Sequence, residues 1–147
     1  MNIMIDSMTQ EDIPELVEME REIFSRPWSE QNFTDLLTRD YCLYLVARNS
    51  HKKIIGCAGL TVLGNEGDID KVMVHEDCRG CGVASRLMEE LLAEGRRRGV
   101  EAFTLEVRAG NTAAINLYAK YGFLSEGIRP RFYDKPVEDA LIMWLRQ

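Results

Sequence analysis

The chain has 147 residues, of which 46% are hydrophobic and 29% are charged, and its formal net charge is −6. This length and composition predict one soluble globular domain, residues 1–147. The negative charge disfavours direct binding to nucleic acid and is compatible with a basic peptide or amine as partner. No apolar run approaches the ~20 residues that a membrane-spanning helix needs, and the N-terminus lacks the basic start of a signal peptide, so we expect a cytoplasmic protein without membrane contact.

The first half of the chain predicts a strand, two helices and three further strands. Residues Met1–Ser7 alternate weakly and are predicted as a strand. Thr9 and Asp12 form a capping-box pattern before an amphipathic helix that Pro27 ends. Ser29 is predicted to cap a second, short helix. Three strand-like runs then follow: Tyr41–Arg48, Lys53–Leu63 and Glu66–Val74.

The second half alternates strands and helices. A glycine-rich turn leads into an amphipathic helix that ends at Gly99, and Ala102–Val107 is predicted as a strand. Asn111 caps another helix, which continues to about Tyr121. The remaining elements are two strands and the loop between them: Gly122–Ile128, Ala140–Leu145 and the loop Pro130–Asp139. The order β-α-α-β-β-β-α-β-α-β-β predicts an α/β fold with a mixed, mostly antiparallel sheet and helices on both faces.

The glycine-rich turn is the strongest functional signal in the sequence. It follows the apolar run Val72-Met73-Val74 and has the sequence Arg79-Gly80-Cys81-Gly82-Val83-Ala84. Glycine permits a sharp turn and a close approach of a ligand, and the helix N-terminus adds unpaired N–H groups and a positive dipole end. Together these features favour pyrophosphate binding. No lysine follows, which excludes a P-loop, and too few β-α units remain for a dinucleotide-binding fold.

The same turn contains two of the four cysteines in the chain. Cys78 and Cys81 are spaced as a C-x-x-C pattern, but no second cysteine pair or histidine pair completes a zinc site, so we predict no metal centre. We favour two reduced cysteines without a redox function over a redox-sensitive pair. Cys42 and Cys57 lie in strand-like runs and are predicted to be buried. His75 is predicted to be a solvated surface residue and not a base.

Two side chains later in the chain could provide acid–base chemistry. Glu106 lies on a predicted strand with Leu105 and Val107 on the opposite face, so its carboxylate could act as a base. The sequence alone favours an ion pair with an arginine such as Arg108. The phenol of Tyr118 could protonate a leaving thiolate, although a tyrosine among apolar residues is more often part of a core.

Several segments resemble one enzyme superfamily. Arg79-x-x-Gly82-x-Ala84 is similar to the Q/R-x-x-G-x-G/A signature of the GNAT superfamily of acyl-CoA N-acyltransferases, and the predicted order of elements matches the GNAT fold. Within that superfamily, these segments resemble the RimI family: Pro27 to Glu30, Leu105 to Asn111, Ala113 to Ile115, Leu117-Tyr118, Tyr121 to Phe123, Arg131 to Asp134 and Glu138 to Met143. Members of the RimI family acetylate the N-terminal alanine of a small-subunit ribosomal protein.

The resemblance implies acetyl-CoA as the co-substrate and a basic ribosomal-protein N-terminus as the acceptor. It implies Glu106 as general base and Tyr118 as general acid, and it makes Trp28 and Tyr133 candidates for the acceptor groove. For Trp28 we favour a buried ring that anchors the connection between the first two helices. The implied acetyl-CoA site comprises Val72, Met73, Val74, Arg79, Gly80, Cys81, Gly82, Val83, Ala84, Ser85 and Asn111. The sequence departs from the family pattern where His75-Glu76 replace a common proline.

Two other functions remain open at this stage. One is an acetyltransferase of the same fold that acts on lysine side chains or small amines. The other is a non-catalytic module that binds acetyl-CoA. The presence of both Glu106 and Tyr118 argues against the second alternative.

Overall fold

The structure is a computed structural model that describes residues 2–146, which form seven strands, four α-helices and two short 3₁₀ helices. The strands are β1 (Met4–Ser7), β2 (Cys42–Arg48), β3 (Ile54–Leu63), β4 (Glu66–Val74), β5 (Ala102–Arg108), β6 (Leu124–Tyr133) and β7 (Glu138–Arg146). The helices are α1 (Ile13–Ile23), α2 (Glu30–Leu37), α3 (Val83–Arg97) and α4 (Thr112–Lys120). Met1, part of the first predicted strand, lies outside the described residues. None of the helices within residues 2–146 is long and apolar enough to cross a membrane.

All seven strands belong to one sheet, in the order β1-β2-β3-β4-β5-β7-β6. Neighbouring strands are antiparallel except β4 and β5, which are parallel because α3 connects them. The last hairpin folds back so that β7 lies between β5 and β6. The predicted mixed, mostly antiparallel sheet is therefore confirmed.

The helices cover both faces of the sheet, as predicted. On one face, α3 and α4 pack their apolar sides against a core that includes Leu91, Phe103 and Phe123. On the other face, α1 and α2 pack against a second core that includes Leu16 and Phe33. Because each helix has an apolar stripe that must be buried, two helix pairs enclose the sheet from opposite sides.

The first helix ends earlier than the sequence predicts. It stops at Ile23, because Phe24 has an extended backbone (φ −110°, ψ 142°), so Pro27 lies beyond the helix and does not terminate it. The capping box of Thr9 and Asp12 is present, and the hydroxyl of Ser29 accepts the N–H of Asn32 at the start of α2. The residues between the two helices therefore form an irregular connection, residues 24–29.

The predicted loop from Pro130 to Asp139 is wrong for most of its length. Strand β6 continues through Tyr133 and β7 begins at Glu138, so only residues 134–137 form the turn. Pro130 is tolerated because β6 is an edge strand whose pairing with β7 is irregular between Arg129 and Tyr133. The other predicted boundaries agree with the structure to within three residues.

Candidate active site

Strands β4 and β5 are paired over only part of their length. Parallel pairing between them ends at Ile69 and Leu105, whereas β4 continues to Val74 and β5 to Arg108. Beyond Ile69, the edge of β4 that faces β5 has no partner strand within residues 2–146. The two strands therefore open a gap in the middle of the sheet.

The backbone of β4 presents hydrogen-bonding groups to this gap. The N–H of His75 donates to the carbonyl of Ile55 in β3 (2.8 Å). Because successive residues of a strand direct their N–H and C=O groups to opposite sides, those of Val74 and Val72 point towards β5. Met73 directs its backbone groups to β3, and it is buried. Of the three implied contacts, Val72 and Val74 are therefore placed to bind a ligand in the gap.

The glycine-rich turn adopts a conformation that requires glycine at two positions. Gly80 and Gly82 have φ angles of +79° and +84°, which side-chain-bearing residues rarely adopt. A β-carbon added at either position would meet no atom within 4 Å, so the space beside this backbone is open. Arg79 and Cys81 are exposed in the same turn, and Val83 is buried under it. The turn is therefore an accessible surface of backbone.

Helix α3 begins with three unpaired N–H groups, those of Val83, Ala84 and Ser85. None of them has an acceptor within residues 2–146, and the first helical bond runs from the N–H of Arg86 to the carbonyl of Gly82 (3.1 Å). Gly82 is the N-cap and has no side chain to accept them. Unpaired N–H groups at the positive end of a 15-residue helix suit an anion. These residues fit the implied pyrophosphate site.

A cleft of about 820 Å³ opens at the gap between β4 and β5. Its walls are the end of α1, the connection 24–29, residues 68–72 of β4, residues 105–108 of β5, the two ends of α4 at Asn111 and Tyr118, and residues 132–136 around the turn between β6 and β7. The glycine-rich turn does not line this cleft. Six of the candidate catalytic and binding residues line it: Trp28, Val72, Glu106, Asn111, Tyr118 and Tyr133.

Glu106 lies on the cleft face of β5, and Leu105 and Val107 are buried in the core, as predicted. The favoured interpretation, an ion pair between Glu106 and an arginine, is confirmed, but the partner is Arg129 and not Arg108. The Glu106 carboxylate pairs with Nε of Arg129 (2.7 Å), which reaches across β7, and 31% of the Glu106 side chain is exposed. The carboxylate is thus oriented by one arginine and open to the cleft.

Arg108 is committed to the turn between β6 and β7. Its guanidinium pairs with Glu138 (3.3 Å) and donates to the carbonyl oxygens of Asp134 and Pro136. The same group lies 4.4 Å from the ring centre of Tyr133. Arg108 therefore fixes the wall of the cleft that contains Tyr133.

Tyr118 is almost completely buried, with 7% of its surface exposed, and its ring packs against Phe123 (6.0 Å between centroids). Burial, followed by the neighbouring phenol of Tyr133, raises the pKa of Tyr118 to about 12. Its hydroxyl forms no hydrogen bond within residues 2–146, and its oxygen is accessible from the cleft. The phenol is therefore protonated at neutral pH and free to donate into the cleft.

Tyr133 links the two predicted catalytic side chains electrostatically. Burial raises the pKa of Tyr133, and the Glu106 carboxylate raises it further, while Arg108 opposes both effects. Because Tyr133 also raises the pKa of Tyr118, the three side chains share one electrostatic environment. The structure thus brings Glu106, Tyr118 and Tyr133 together on one side of the cleft.

Two carboxylates of β4 also face the cleft, and the sequence analysis did not identify them. The pKa of Asp68 is raised mainly by burial, and the negative charges of Asp70 and Glu106 raise it further. Asp70 accepts hydrogen bonds from the hydroxyls of Tyr44 (2.5 Å) and Thr61 (2.7 Å). This part of the cleft is therefore negative, which suits a cationic amine.

A buried ion pair on the wall opposite β5 was also missed. Lys71, 9% exposed, pairs with the fully buried Glu20, and its Nζ lies 3.7 Å from the ring centre of Trp28 and 4.6 Å from that of Phe24. Burial lowers the pKa of Lys71, and the Glu20 carboxylate opposes this effect. The available sequence signal was a carboxylate one helical turn after Leu16, within the apolar stripe of α1.

A second ion pair crosses the mouth of the cleft. Nε of Arg26 donates to both carboxylate oxygens of Asp134 (2.7 and 2.9 Å), and Nη2 of Arg26 lies 2.7 Å from Oδ2 of the same carboxylate. The Arg26 hydrogen bonds lower the pKa of Asp134. This exposed pair joins the connection 24–29 to the turn between β6 and β7.

The predictions for His75 and the cysteines have mixed outcomes. Only 19% of the His75 side chain is exposed, so the predicted solvated position is wrong. Its Nδ1 accepts the N–H of Asp77 (3.2 Å).

Among the cysteines, Cys57 is buried, as predicted, and burial raises the pKa of its thiol to about 12. Cys42 is partly buried, because it lies at the start of β2. All four cysteines are free thiols.

Residues 13–123 match the model of the acetyltransferase (GNAT) family. The chain belongs to this family. It is 34% identical to the ribosomal protein bS18-alanine N-acetyltransferase of Escherichia coli K12, over 96% of this chain and 95% of that protein. It is 33% identical to the N-alpha-acetyltransferase RimI of Mycobacterium tuberculosis, over 96% and 90% of the two chains.

The fold agrees with this assignment. The crystal structure of the ribosomal-protein-S18-alanine N-acetyltransferase from Escherichia coli superimposes with a TM-score of 0.90 and 32% identity, over 99% of this chain and 94% of that chain. The resemblance to GNAT enzymes of the RimI family is therefore confirmed, together with the fold that it implied. The chain is a member of an acetyltransferase family.

Proposed function

We propose that this chain transfers an acetyl group from acetyl-CoA to the N-terminal α-amine of a protein, namely the N-terminal alanine of a small-subunit ribosomal protein. The observation that carries the proposal is the gap between β4 and β5, with Glu106 and Tyr118 on its cleft and unpaired N–H groups at the start of α3. The Escherichia coli relative, a ribosomal protein bS18-alanine N-acetyltransferase, supports the choice of acceptor, and the Mycobacterium tuberculosis relative, an N-alpha-acetyltransferase, supports the α-amine. Such a substrate implies a cytoplasmic enzyme, which we propose to be one domain.

The donor would be held mainly by backbone groups. The N–H groups of Val83, Ala84 and Ser85 would bind the pyrophosphate, and Gly82 leaves room for it. The backbone of Val72 and the carbonyl of Val74 would bind the amides of the pantetheine arm along the gap. Bound acetyl-CoA supplies a thioester, which is the acylating group. Nothing in this arrangement requires a covalent acyl-enzyme.

Asn111 lines the cleft at the start of α4. Its side-chain oxygen accepts the N–H of Ala114 and caps α4, which fixes the orientation of the amide. The nitrogen of that amide has no acceptor within residues 2–146. We therefore expect Asn111 to donate a hydrogen bond near the acyl end of acetyl-CoA, while the cap keeps the amide in place.

Glu106 is suited to remove the proton from the acceptor. An amine attacks a thioester only when neutral, and an α-amine has a pKa of about 7.7–8.0, against about 10.4 for a lysine side chain. Removing the proton from an N-terminus is therefore less costly. Asp68 and Asp70 make the surroundings of Glu106 negative and would attract the incoming ammonium group. Arg129 holds the carboxylate in a fixed orientation.

Tyr118 and Val74 would stabilise the charges that develop during attack. The N–H of Val74 points into the gap and can donate to the oxyanion. A phenol with a pKa of about 12 is a weaker acid than a thiol, whose reference value is about 8.5, so complete proton transfer from Tyr118 to a free thiolate is uphill. We therefore propose that Tyr118 acts first by donating a hydrogen bond to the sulfur as the C–S bond breaks.

Intact-mass analysis with site mapping tests this function. A peptide with a free N-terminal alanine and an internal lysine is incubated with the protein and acetyl-CoA, beside the same peptide with its N-terminus already acetylated. We expect one acetyl group on the α-amine of the first peptide and none on the second. Predominant modification of lysine would support the alternative acceptor, and modification of neither amine would support a non-catalytic binding module.

A further inference from the structure

The connection 24–29 is anchored to β4 by the Glu20–Lys71 ion pair. One carboxylate oxygen of Glu20 pairs with Lys71, and the other accepts the backbone N–H of Trp28 (2.9 Å). The Lys71 ammonium in turn lies against the faces of the Trp28 and Phe24 rings. One buried lysine therefore contacts the carboxylate and both aromatic rings that hold this connection on the sheet.

Stability alone does not explain a lysine at this position. Replacing a buried ion pair by apolar side chains of similar volume is often neutral or stabilising, because two charges no longer have to be removed from water. Both members of this pair are buried, and their neighbours Phe24 and Trp28 are aromatic. The pair does, however, fix the positions of these two rings. The ammonium–ring contacts and the hydrogen bond to Glu20 are directional, whereas apolar contacts alone are not.

The position of the pair relates it to the reaction. Lys71 directly precedes Val72, whose backbone faces the gap, and Glu20, Phe24, Trp28 and Lys71 all line the same cleft as Glu106. They form the wall on the α1 side of the cleft, which faces the wall formed by β5 and the turn between β6 and β7. An acceptor whose amine reaches Glu106 would place its first side chain between these walls.

We propose that Lys71 is a positioning residue that determines specificity for the first side chain of the acceptor. By holding the rings of Phe24 and Trp28 against β4, it narrows the cleft and favours alanine over large residues. The inference rests on the proposed N-terminal acetylation. It assigns to Lys71 no contact with the reacting atoms.

The informative variant is the double substitution Glu20→Gln with Lys71→Met. It removes both charges, approximately preserves volume, and keeps an acceptor for the N–H of Trp28, whereas Lys71→Met alone would leave the Glu20 charge buried without a partner. Thermal unfolding of the double variant verifies that it folds. Lys53→Met, at an exposed lysine before β3, is the matched control.

The measurement is kcat/KM for two peptides that differ only in having alanine or leucine as first residue. We expect the alanine-to-leucine ratio to fall about tenfold in the double variant, mainly through a lower KM for the leucine peptide, with unchanged affinity for acetyl-CoA. Lys53→Met should keep the wild-type ratio. An unchanged ratio in a folded double variant would overturn the proposal, and equal losses for both peptides would show a general structural role instead.

Equilibrium binding separates this proposal from the proposed function. In the presence of CoA, binding of the two peptides can be followed by the fluorescence of Trp28 in a Trp144→Phe background, without turnover. A change in the binding ratio of the two peptides would support the role of Lys71 even if no acetylation occurs. The proposal would be overturned if the binding ratio were the same in the double variant and in the protein that retains Glu20 and Lys71. It would also be overturned if neither protein bound either peptide.

Discussion

Ile69 and Leu105 form the last pair between β4 and β5, and the extra residue of a β-bulge comes immediately after Ile69. Gly59 of β3 pairs with Lys71, and the next residue of β3 pairs with Ile69, so Asp70 has no partner in the β3 ladder. A bulge bends its strand and increases the local twist. The bulge at Asp70 therefore accounts for the separation of β4 from β5, and it also places Asp70 and Lys71 beside the cleft.

Gly82→Asp should abolish the stabilisation of the fold by acetyl-CoA. A ligand present at a hundred times its dissociation constant stabilises a protein by about 2.7 kcal/mol, which a thermal shift detects. An aspartate at this position would place a negative charge beside the N–H groups of Val83 and Ala84, where the pyrophosphate is proposed to bind.

Gly64→Asp is the control for that experiment. Gly64 also has a positive φ angle, +61°, and open space at its β-carbon, but it lies in the turn between β3 and β4. The substitution therefore introduces the same charge and similar backbone strain away from the glycine-rich turn. We expect a normal thermal shift with Gly64→Asp. A normal shift with Gly82→Asp as well would remove the start of α3 from the acetyl-CoA site.

Tyr118→Phe should reduce kcat by about 10²-fold with little change in acetyl-CoA affinity, because only the hydrogen bond to the leaving sulfur is lost. Since the pKa of Tyr118 is about 12, its phenol stays protonated as pH rises through the neutral range. Wild-type kcat should therefore show no fall from ionisation of this group below about pH 11. Tyr41→Phe, at an exposed tyrosine, is the control. Near-normal turnover by Tyr118→Phe would show that substrate positioning, and not this phenol, determines the rate.

Asp12→Asn should destabilise the protein by about 1–3 kcal/mol at pH 7, because Asp12 is buried and accepts bonds from Arg48 and Thr9. Burial alone would raise the pKa of Asp12, but the hydrogen bonds from Arg48 and Thr9 outweigh it and lower the pKa in the folded state. Its contribution is therefore present above the unfolded pKa of about 3.9 and is lost as pH falls through the lower folded value.

Urea unfolding of Asp12→Asn as a function of pH measures this contribution. The difference from wild type should be constant near neutral pH and shrink below about pH 4. Asp40→Asn, at an exposed position, should show almost no difference. A deficit for Asp12→Asn that persists unchanged into acid would mean that the charge of Asp12 does not contribute to stability.

Local patterns in the sequence predicted the elements on which the site is built. Alternation of side chains along β5 was enough to place Glu106 on the face opposite to Leu105 and Val107. The glycines at 80 and 82 predicted the turn before α3, because few other residues adopt its backbone angles. Family resemblance, and not these patterns, supplied the roles of Glu106 and Tyr118.

Contacts between distant strands were not predictable in the same way. Arg129 reaches Glu106 because the last hairpin places β7 between β5 and β6, and no local pattern gives that strand order. The Glu20–Lys71 pair depends on the bulge at Asp70, which changes the face on which Lys71 lies. Pro130 suggested a loop because proline is rare inside a sheet. It is tolerated in β6 because β6 is an edge strand, and this position follows from tertiary structure alone.

In the proposed reaction, Glu106 removes a proton from an N-terminal amine before that amine attacks. Glu106→Gln should lower kcat/KM near neutral pH by roughly 10²–10⁴-fold, with unchanged acetyl-CoA affinity. Glu126→Gln is the matched control, because Glu126 also pairs with an arginine, Arg146, and does not line the cleft.

The pH dependence of Glu106→Gln with an alanine-initiated peptide tests this claim most directly. Without its base, the variant can use only acceptor that is already neutral, so its kcat/KM should rise with the free-amine fraction up to the α-amine pKa of about 8. The deficit relative to wild type should therefore narrow between about pH 6 and pH 9. A deficit that stays constant over that range, or activity equal to wild type at pH 6, would contradict the assignment of Glu106 as the base.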